Sequence, residues 1–290
     1  ISALSSGAPC HIVNGRISDY TLGWYIRLRS MFTPMLVSFS SVSVSDQEQR
    51  ERFLALGVAS ERVHVTGHTK YDATPRYAQD SARTELRREF FPDIQDDEFV
   101  VTLGSIRDGE EEAWIAALGR AWAAKCRLRI VVAPRHAEKF DFFVRAFQRL
   151  PVRQERWSSR SGNEAGHAEL LVLDTMGVLE RAYAASDLAF VGATLVDIGG
   201  HNPFEPAMYG VPVVVGPYTS VIREPIDLMR KAGGVCRVGS SDEIYELLLE
   251  LSRSPGRLRQ VGAAGQATWR SHQGSAQRVL SVIRQSEALS

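Results

Sequence analysis

The chain has 290 residues, 44% of them hydrophobic and 23% charged, the balance of a soluble globular protein with room for two ordinary domains. Its 34 basic and 34 acidic side chains cancel, which argues against a dedicated nucleic-acid binder. Three widely spaced cysteines, Cys10, Cys126 and Cys236, lack any metal-ligand spacing and read as reduced thiols of a cytosolic protein. The chain starts abruptly at Ile1 with no signal peptide and reads as a fragment. The longest weakly charged run, Met31 to Ser45, contains Pro34 and five serines and falls short of the ~20 apolar residues that span a bilayer.

In chain order, "CHIVNGR" predicts a strand and its exit, and the run from Thr21 to Phe39 is helical in part. "SVSVSD" leads into the helix "QEQRERFLALG", and "RVHVTGHTKYD" closes this first α/β segment, residues 1–72. Residues 73–97 are polar, carry two prolines and read as an interdomain connection with one helix. From residue 98 to 265 strands and helices alternate. "EFVVTLGS", "LRIVVAP", "ELLVLD", "DLAFVG", "VPVVVGP" and "GVCRV" are buried strands, separated by amphipathic helical runs. That alternation predicts an α/β fold with a parallel sheet covered on both faces. Residues 151–167 lack periodicity and read as a surface excursion, and a C-terminal helix is expected over 266–290.

Ligands of open parallel sheets bind beyond the carboxyl ends of the strands. Four unusual signatures fall there: "GSIRDGEE", "PRHAEK", "DTMGVL" and "ATLVDIGGHNPFEP". In the first, Ser105 precedes a helix start that suits an anion. An ordinary turn with Asp108 as N-cap explains the same residues. Arg135 offers a donor fork for oxygen ligands, or is a surface arginine in a turn. In the last, Asn202, Pro203 and Glu205 form a capping-box pattern. The other reading sets Asn202 and the helix start on phosphate and Glu205 on a ribose diol. Gly199 and Gly200, which let backbone approach a ligand closely, and His201 favour that one. The glycine spacing is neither a dinucleotide fingerprint nor a P-loop, and no D-x-D occurs, so no metal ligand or cofactor is assigned.

Together these motifs resemble the 3-deoxy-D-manno-octulosonic acid (Kdo) transferases of lipid A biosynthesis. The matching residues are "NGRIS" (14–18), "SVSDQEQRERFLALGV" (43–58), "VTGHTKYD" (65–72), "GSIRDGEEE" (104–112), "APRHAEKF" (133–140), "DTMGVL" (174–179) and 186–217. The resemblance implies a GT-B fold of two Rossmann-like domains, the N-terminal one incomplete here. It implies metal-independent, inverting transfer of Kdo from CMP-Kdo to a lipid A precursor at the cytoplasmic face of the bacterial inner membrane, with the membrane met through a missing N-terminal region. By motif position, Pro134 and Arg135 contact cytosine, and Met176, Gly177 and Val178 line the nucleotide. Asn202, Pro203, Phe204 and Glu205 meet phosphate and ribose, and Ser105 reaches the phosphate. Arg16, Lys70 and His201 are candidates for the sugar or acceptor side.

Three departures stand out. The family's Ser-Thr-His is Ser105-Ile106-Arg107, its Gly-Glu-Leu is Gly177-Val178-Leu179, and its Gly-Gly-Ser is Gly192-Ala193-Thr194. The family's general base, a glutamate in an early Gly-Glu motif, has no counterpart, so no catalytic base is assigned. A sugar-nucleotide epimerase of similar build and a degenerate nucleotide-binding partner are the alternatives.

Overall fold

The structure is a computed structural model that describes residues 8–77, 79–160 and 167–288. It divides into two compact units, one of residues 1–73 with 272–290, the other of residues 74–271.

The smaller unit carries strands β1 (His11–Gly15), β2 (Ser41–Val44) and β3 (Val63–Val65), parallel and in that order. Val42, Val44 and Val63 pack with Phe53 and Leu56 beneath them. The expected helical stretch after β1 is two helices, Asp19–Arg27 and Arg29–Leu36, and Asp46 caps a third, Gln47–Ala55, by accepting from Gln49 N–H at 2.8 Å.

The C-terminal run does not form one helix. It breaks at Gly274, whose φ is +85°, between Pro255–Ser271 and Ser275–Ala288. The second helix belongs to the smaller unit. Asp72 accepts from Ser275 N–H at 3.1 Å and Ala276 N–H at 2.5 Å, and Arg278 donates to Thr66 O at 2.9 Å. An acid on orphan N–H groups at a helix start stabilises it.

The larger unit is a seven-stranded, all-parallel sheet. Its strands are β4 (Phe99–Ile106), β5 (Leu128–Pro134), β6 (Gln154–Arg156), β7 (Leu170–Val172), β8 (Leu188–Val191), β9 (Val213–Val215) and β10 (Val235–Arg237). The spatial order is β10-β9-β8-β4-β5-β7-β6. Successive side chains of a strand face opposite sides. Val101, Leu103, Ile130 and Val132 therefore join Trp114, Phe143 and Phe147 in one core, while Val100, Val131 and Ala133 join Phe90 and Phe91 in the other. Each large side chain so buried contributes about 1.5–3 kcal/mol.

Two expectations change here. Residues 73–97 carry the one helix expected of the interdomain connection, but from residue 74 the stretch is part of the larger unit. The helix Asp80–Phe90 buries Leu86 and Phe90 in the second core, and Arg83 and Arg87 both pair with Asp187, at 2.6 and 2.7 Å. Asp187 also accepts the N–H of Val100 at 2.8 Å, which ties the helix to the start of β4. The stretch 151–167 contributes edge strand β6, which pairs with β7, while its residues 161–166 lie outside the described residues. A strand of three half-buried polar residues carries no alternation that sequence could display.

Candidate functional site

Strand order reverses direction at β4, which has β5 on one side and β8 on the other. Such a switch point opens a crevice beyond the carboxyl ends. Its walls are the segments after β4, β5 and β8. Ser105 and Ala193 both adopt left-handed backbone there, with φ of 54° and 64°. The two segments touch so closely that a Cβ on Gly192 would meet Ser105 O at 2.2 Å.

A buried carboxylate holds the wall together. Glu110, wholly shielded from solvent, accepts the N–H groups of Ala193, Thr194 and Leu195 at 2.9 Å each and that of Arg107 at 2.8 Å. Burial pushes its carboxyl up, and the four donors pull against that shift. Thr194 then receives Gly216 N–H on its hydroxyl at 2.8 Å, joining the exits of β8 and β9. The sequence reading missed Glu110, because it is one of three consecutive glutamates and nothing local marks it as the one that takes the N–H groups of segment 193–195. The expected N-cap, Asp108, does not cap. Lys139 pairs with it at 2.5 Å and holds its carboxyl below the usual range, and the helix starts at Glu111.

His201 sits on this frame, its N–H donating to Gly192 O at 3.2 Å. Its Nε2 is buried without a partner. Burial, with Arg135, Arg107 and His136 nearby, lowers the imidazole to about 4, so the ring is neutral at physiological pH. Arg135 is placed by its own N–H, which donates to Ile106 O at 3.2 Å. Among the described residues, the guanidinium groups of Arg107 and Arg135 make no hydrogen bond or ion pair. The charges of two arginines that make no ion pair thus act on a buried imidazole whose Nε2 has no partner, an electrostatic environment that suits an anion.

Ser105, Pro134, Arg135, Met176 and Gly177 line one recess of about 70 Å³, with Thr175 and Leu179. Met176 is 66% exposed, and nothing lies within 4 Å of where a Gly177 Cβ would stand. Val178 does not share the recess. Its side chain packs into the second core with Leu171 and Leu173, because it lies where the chain turns into the helix Leu179–Ala185. Pro203 and Phe204 are likewise buried by their own side chains.

The short helix Phe204–Ala207 starts one residue later than a capping box from Asn202 requires. Asn202 Oδ1 accepts from Phe204 N–H at 3.1 Å. Burial raises the Glu205 carboxyl, while hydrogen bonding from the Asn202 side chain and the charge of Arg135 oppose this. Glu205 also lies near Tyr183, a fully buried phenol pushed well above its ordinary range by burial.

Gly199 and Gly200 play a different part from the one expected. Both have positive φ, 104° and 93°, but a Cβ on Gly199 would meet Val221 Cγ2 at 2.5 Å and one on Gly200 would meet Ile222 Cδ1 at 2.5 Å. They admit the protein's own segment 220–222. Arg16 and Lys70 are exposed residues of the smaller unit. Asn14 brings their segments together there, donating to Thr69 Oγ1 at 2.7 Å and accepting Thr69 N–H at 3.1 Å.

A groove of about 650 Å³ lies at the opposite edge of the sheet, where Arg83 and Arg87 are already spent on Asp187. The chemistry gathers at the carboxyl edge instead. Among the described residues no group of three His, Cys, Asp or Glu side chains is placed to hold a metal, and no helix is long and apolar enough to cross a membrane.

Residues 2–73 match the family described as 3-deoxy-D-manno-octulosonic-acid transferase (kdotransferase). The 3-deoxy-D-manno-octulosonic acid transferase of Haemophilus influenzae is 28% identical over 95% of this chain. The chain is a relative of the Kdo transferases. It spans 64% of the length of the Haemophilus protein. The C-terminal CMP-Kdo binding domain of WaaA from Acinetobacter baumannii matches 69% of this chain and 98% of its own, at 26% identity and a TM-score of 0.58. The UDP-GlcNAc 2-epimerase of Neisseria meningitidis covers 98% of this chain, with 71% of its own length matched, at 15% identity and a TM-score of 0.63, a likeness of fold alone. The fold is α/β of the GT-B type, as the Kdo transferase resemblance implied.

Proposed function

We propose that this chain carries the donor-binding part of a Kdo transferase, which moves Kdo from CMP-Kdo to a lipid A precursor in lipopolysaccharide biosynthesis. The observation that carries the reading is the cationic environment at the switch point, where the charges of Arg107 and Arg135 act on His201, whose buried Nε2 is unsatisfied. CMP-Kdo joins a nucleoside phosphate to a sugar acid, so its charge suits this crevice. The WaaA domain that matches 69% of this chain is itself described as a CMP-Kdo binding domain.

In this reading the cytosine enters the recess of Pro134, Arg135, Met176 and Gly177, and Ser105 approaches the phosphate. Asn202 and Glu205 take the ribose, with a carboxylate accepting both hydroxyls of the diol. The buried Val178, Pro203 and Phe204 act by shape and backbone. Arg16 and Lys70 serve the sugar or acceptor side. Transfer is inverting and proceeds without a metal at the reacting centre, at the cytoplasmic membrane face. Deprotonating the acceptor hydroxyl requires a base within hydrogen-bond reach, and no residue of this chain is assigned that role.

Calorimetric titration with CMP tests the reading. Binding by the parent chain, weakened about tenfold or more in Glu205→Ala and Arg135→Ala, is the expected result. No detectable binding, or a preference for UDP over CMP, overturns it.

A further inference from the structure

The crevice holds a second arginine, Arg107, that does not line the nucleoside recess. Arg135 faces the nucleoside side, since it lines the recess with Pro134 and Met176 and its charge acts on Glu205. Arg107 does not line that recess. It lies on the β4 exit, and its N–H is fixed by Glu110 at 2.8 Å. Its neighbour Asp108 is paired with Lys139 at 2.5 Å, and the Arg107 guanidinium, whose charge also acts on Asp108, makes no ion pair or hydrogen bond of its own among the described residues. The bond from Arg135 N–H to Ile106 O holds the two arginine-bearing segments side by side, with the unpartnered His201 Nε2 beside both.

Two adjacent cationic groups match a ligand with two adjacent anions. A nucleoside phosphate alone supplies one such centre. A sugar acid linked to phosphate through the carbon that bears its carboxyl supplies the second within a few bonds. Guanidinium and carboxylate are geometrically suited to a bidentate, charge-assisted pair. We infer that Arg107 binds the carboxylate of the donor's sugar acid and so selects an acidic sugar over a neutral one. The inference rests on the donor-site reading above and assigns a specificity-determining residue within it.

The test compares CMP and CMP-Kdo as ligands of the parent chain, Arg107→Ala and Arg107→Lys, with thermal melting of each variant to confirm folding. Arg107→Ala is expected to lose about tenfold in affinity for CMP-Kdo while its affinity for CMP stays within about twofold, and Arg107→Lys to recover part of the loss. Equal weakening toward both ligands, or no change toward either, overturns the assignment while leaving the donor site standing. A parent chain that binds neither ligand removes the donor site, and the Arg107 assignment falls with it. If Arg107→Ala does not fold, the Arg107→Lys arm decides. A conserved charge with poorer fork geometry must then weaken CMP-Kdo more than CMP, and an equal effect on both refutes the inference.

Discussion

Glu110 Oε1 accepts the backbone N–H of Thr194 at 2.9 Å, a bond between residues 84 positions apart that closes the wall between β4 and β8. The same carboxylate holds Arg107, Ala193 and Leu195, so one side chain sets the backbone from which Arg107 and His201 project.

Replacing Glu110 with alanine leaves four N–H donors without their acceptor. Loss of about 3 kcal/mol or more is expected in urea unfolding, since each buried unmade bond costs roughly 1–3 kcal/mol. Glu110→Gln retains one accepting oxygen but turns an amide toward the remaining donors, and an intermediate loss of about 2 kcal/mol is expected. A variant as stable as the parent would remove Glu110 from the role given it here.

Gly200 and Gly177 both have positive φ, 93° and 87°, but only Gly200 is crowded. Gly200→Ala must displace Ile222 and adopt strained backbone, so a loss of about 2 kcal/mol is expected with no nucleotide present. Gly177→Ala meets nothing and should cost about 1 kcal/mol from backbone alone. If Gly177 borders the nucleotide, the methyl group also weakens CMP binding by severalfold. Thermal melts paired with CMP titrations separate the two effects.

The lowered imidazole of His201 gives a pH signature. An unfolded histidine binds a proton near 6.5, whereas this one does so only near 4. The unfolded chain therefore holds more protons in that window. The contribution of neutral His201 to stability is complete above about pH 6.5 and is lost as pH falls toward 4. Melting temperatures of the parent should drop on acidification across this range, and His201→Gln should drop less.

Glu205 shifts the other way. Burial raises its carboxyl above the ordinary glutamate value, so ionised Glu205 costs stability near neutrality while being the form that accepts ribose hydroxyls. Glu205→Gln should melt at the same or a higher temperature at pH 7 and bind CMP about tenfold more weakly. In the parent, CMP affinity should fall on acidification at a higher pH than an ordinary glutamate would give. Glu205→Gln should flatten that part of the profile, as calorimetry at several pH values would show.

The alternation of apolar strands and amphipathic helices from Phe99 to Arg253 is local, and the parallel sheet could be read from it. The signatures at the strand ends were equally legible, because glycine, proline and histidine beyond an apolar strand are conspicuous wherever they fall. The order of the motifs along the chain was by itself specific enough to carry the resemblance to the Kdo transferases.

Contacts across tens of residues were not legible in this way. Which of Glu110, Glu111 and Glu112 receives the N–H groups of segment 193–195 depends on that segment arriving beside it, over 80 positions along the chain. Gly199 and Gly200 look alike whether they admit a ligand or the chain itself, and only the position of Val221 and Ile222 distinguishes the cases. Residues 80–90 are polar enough to pass for a linker until Asp187 pairs with Arg83 and Arg87 and the second core receives Phe90. Local periodicity records how a segment folds against a generic apolar surface. It holds no record of which distant carboxylate, cation or side chain will be there to meet it.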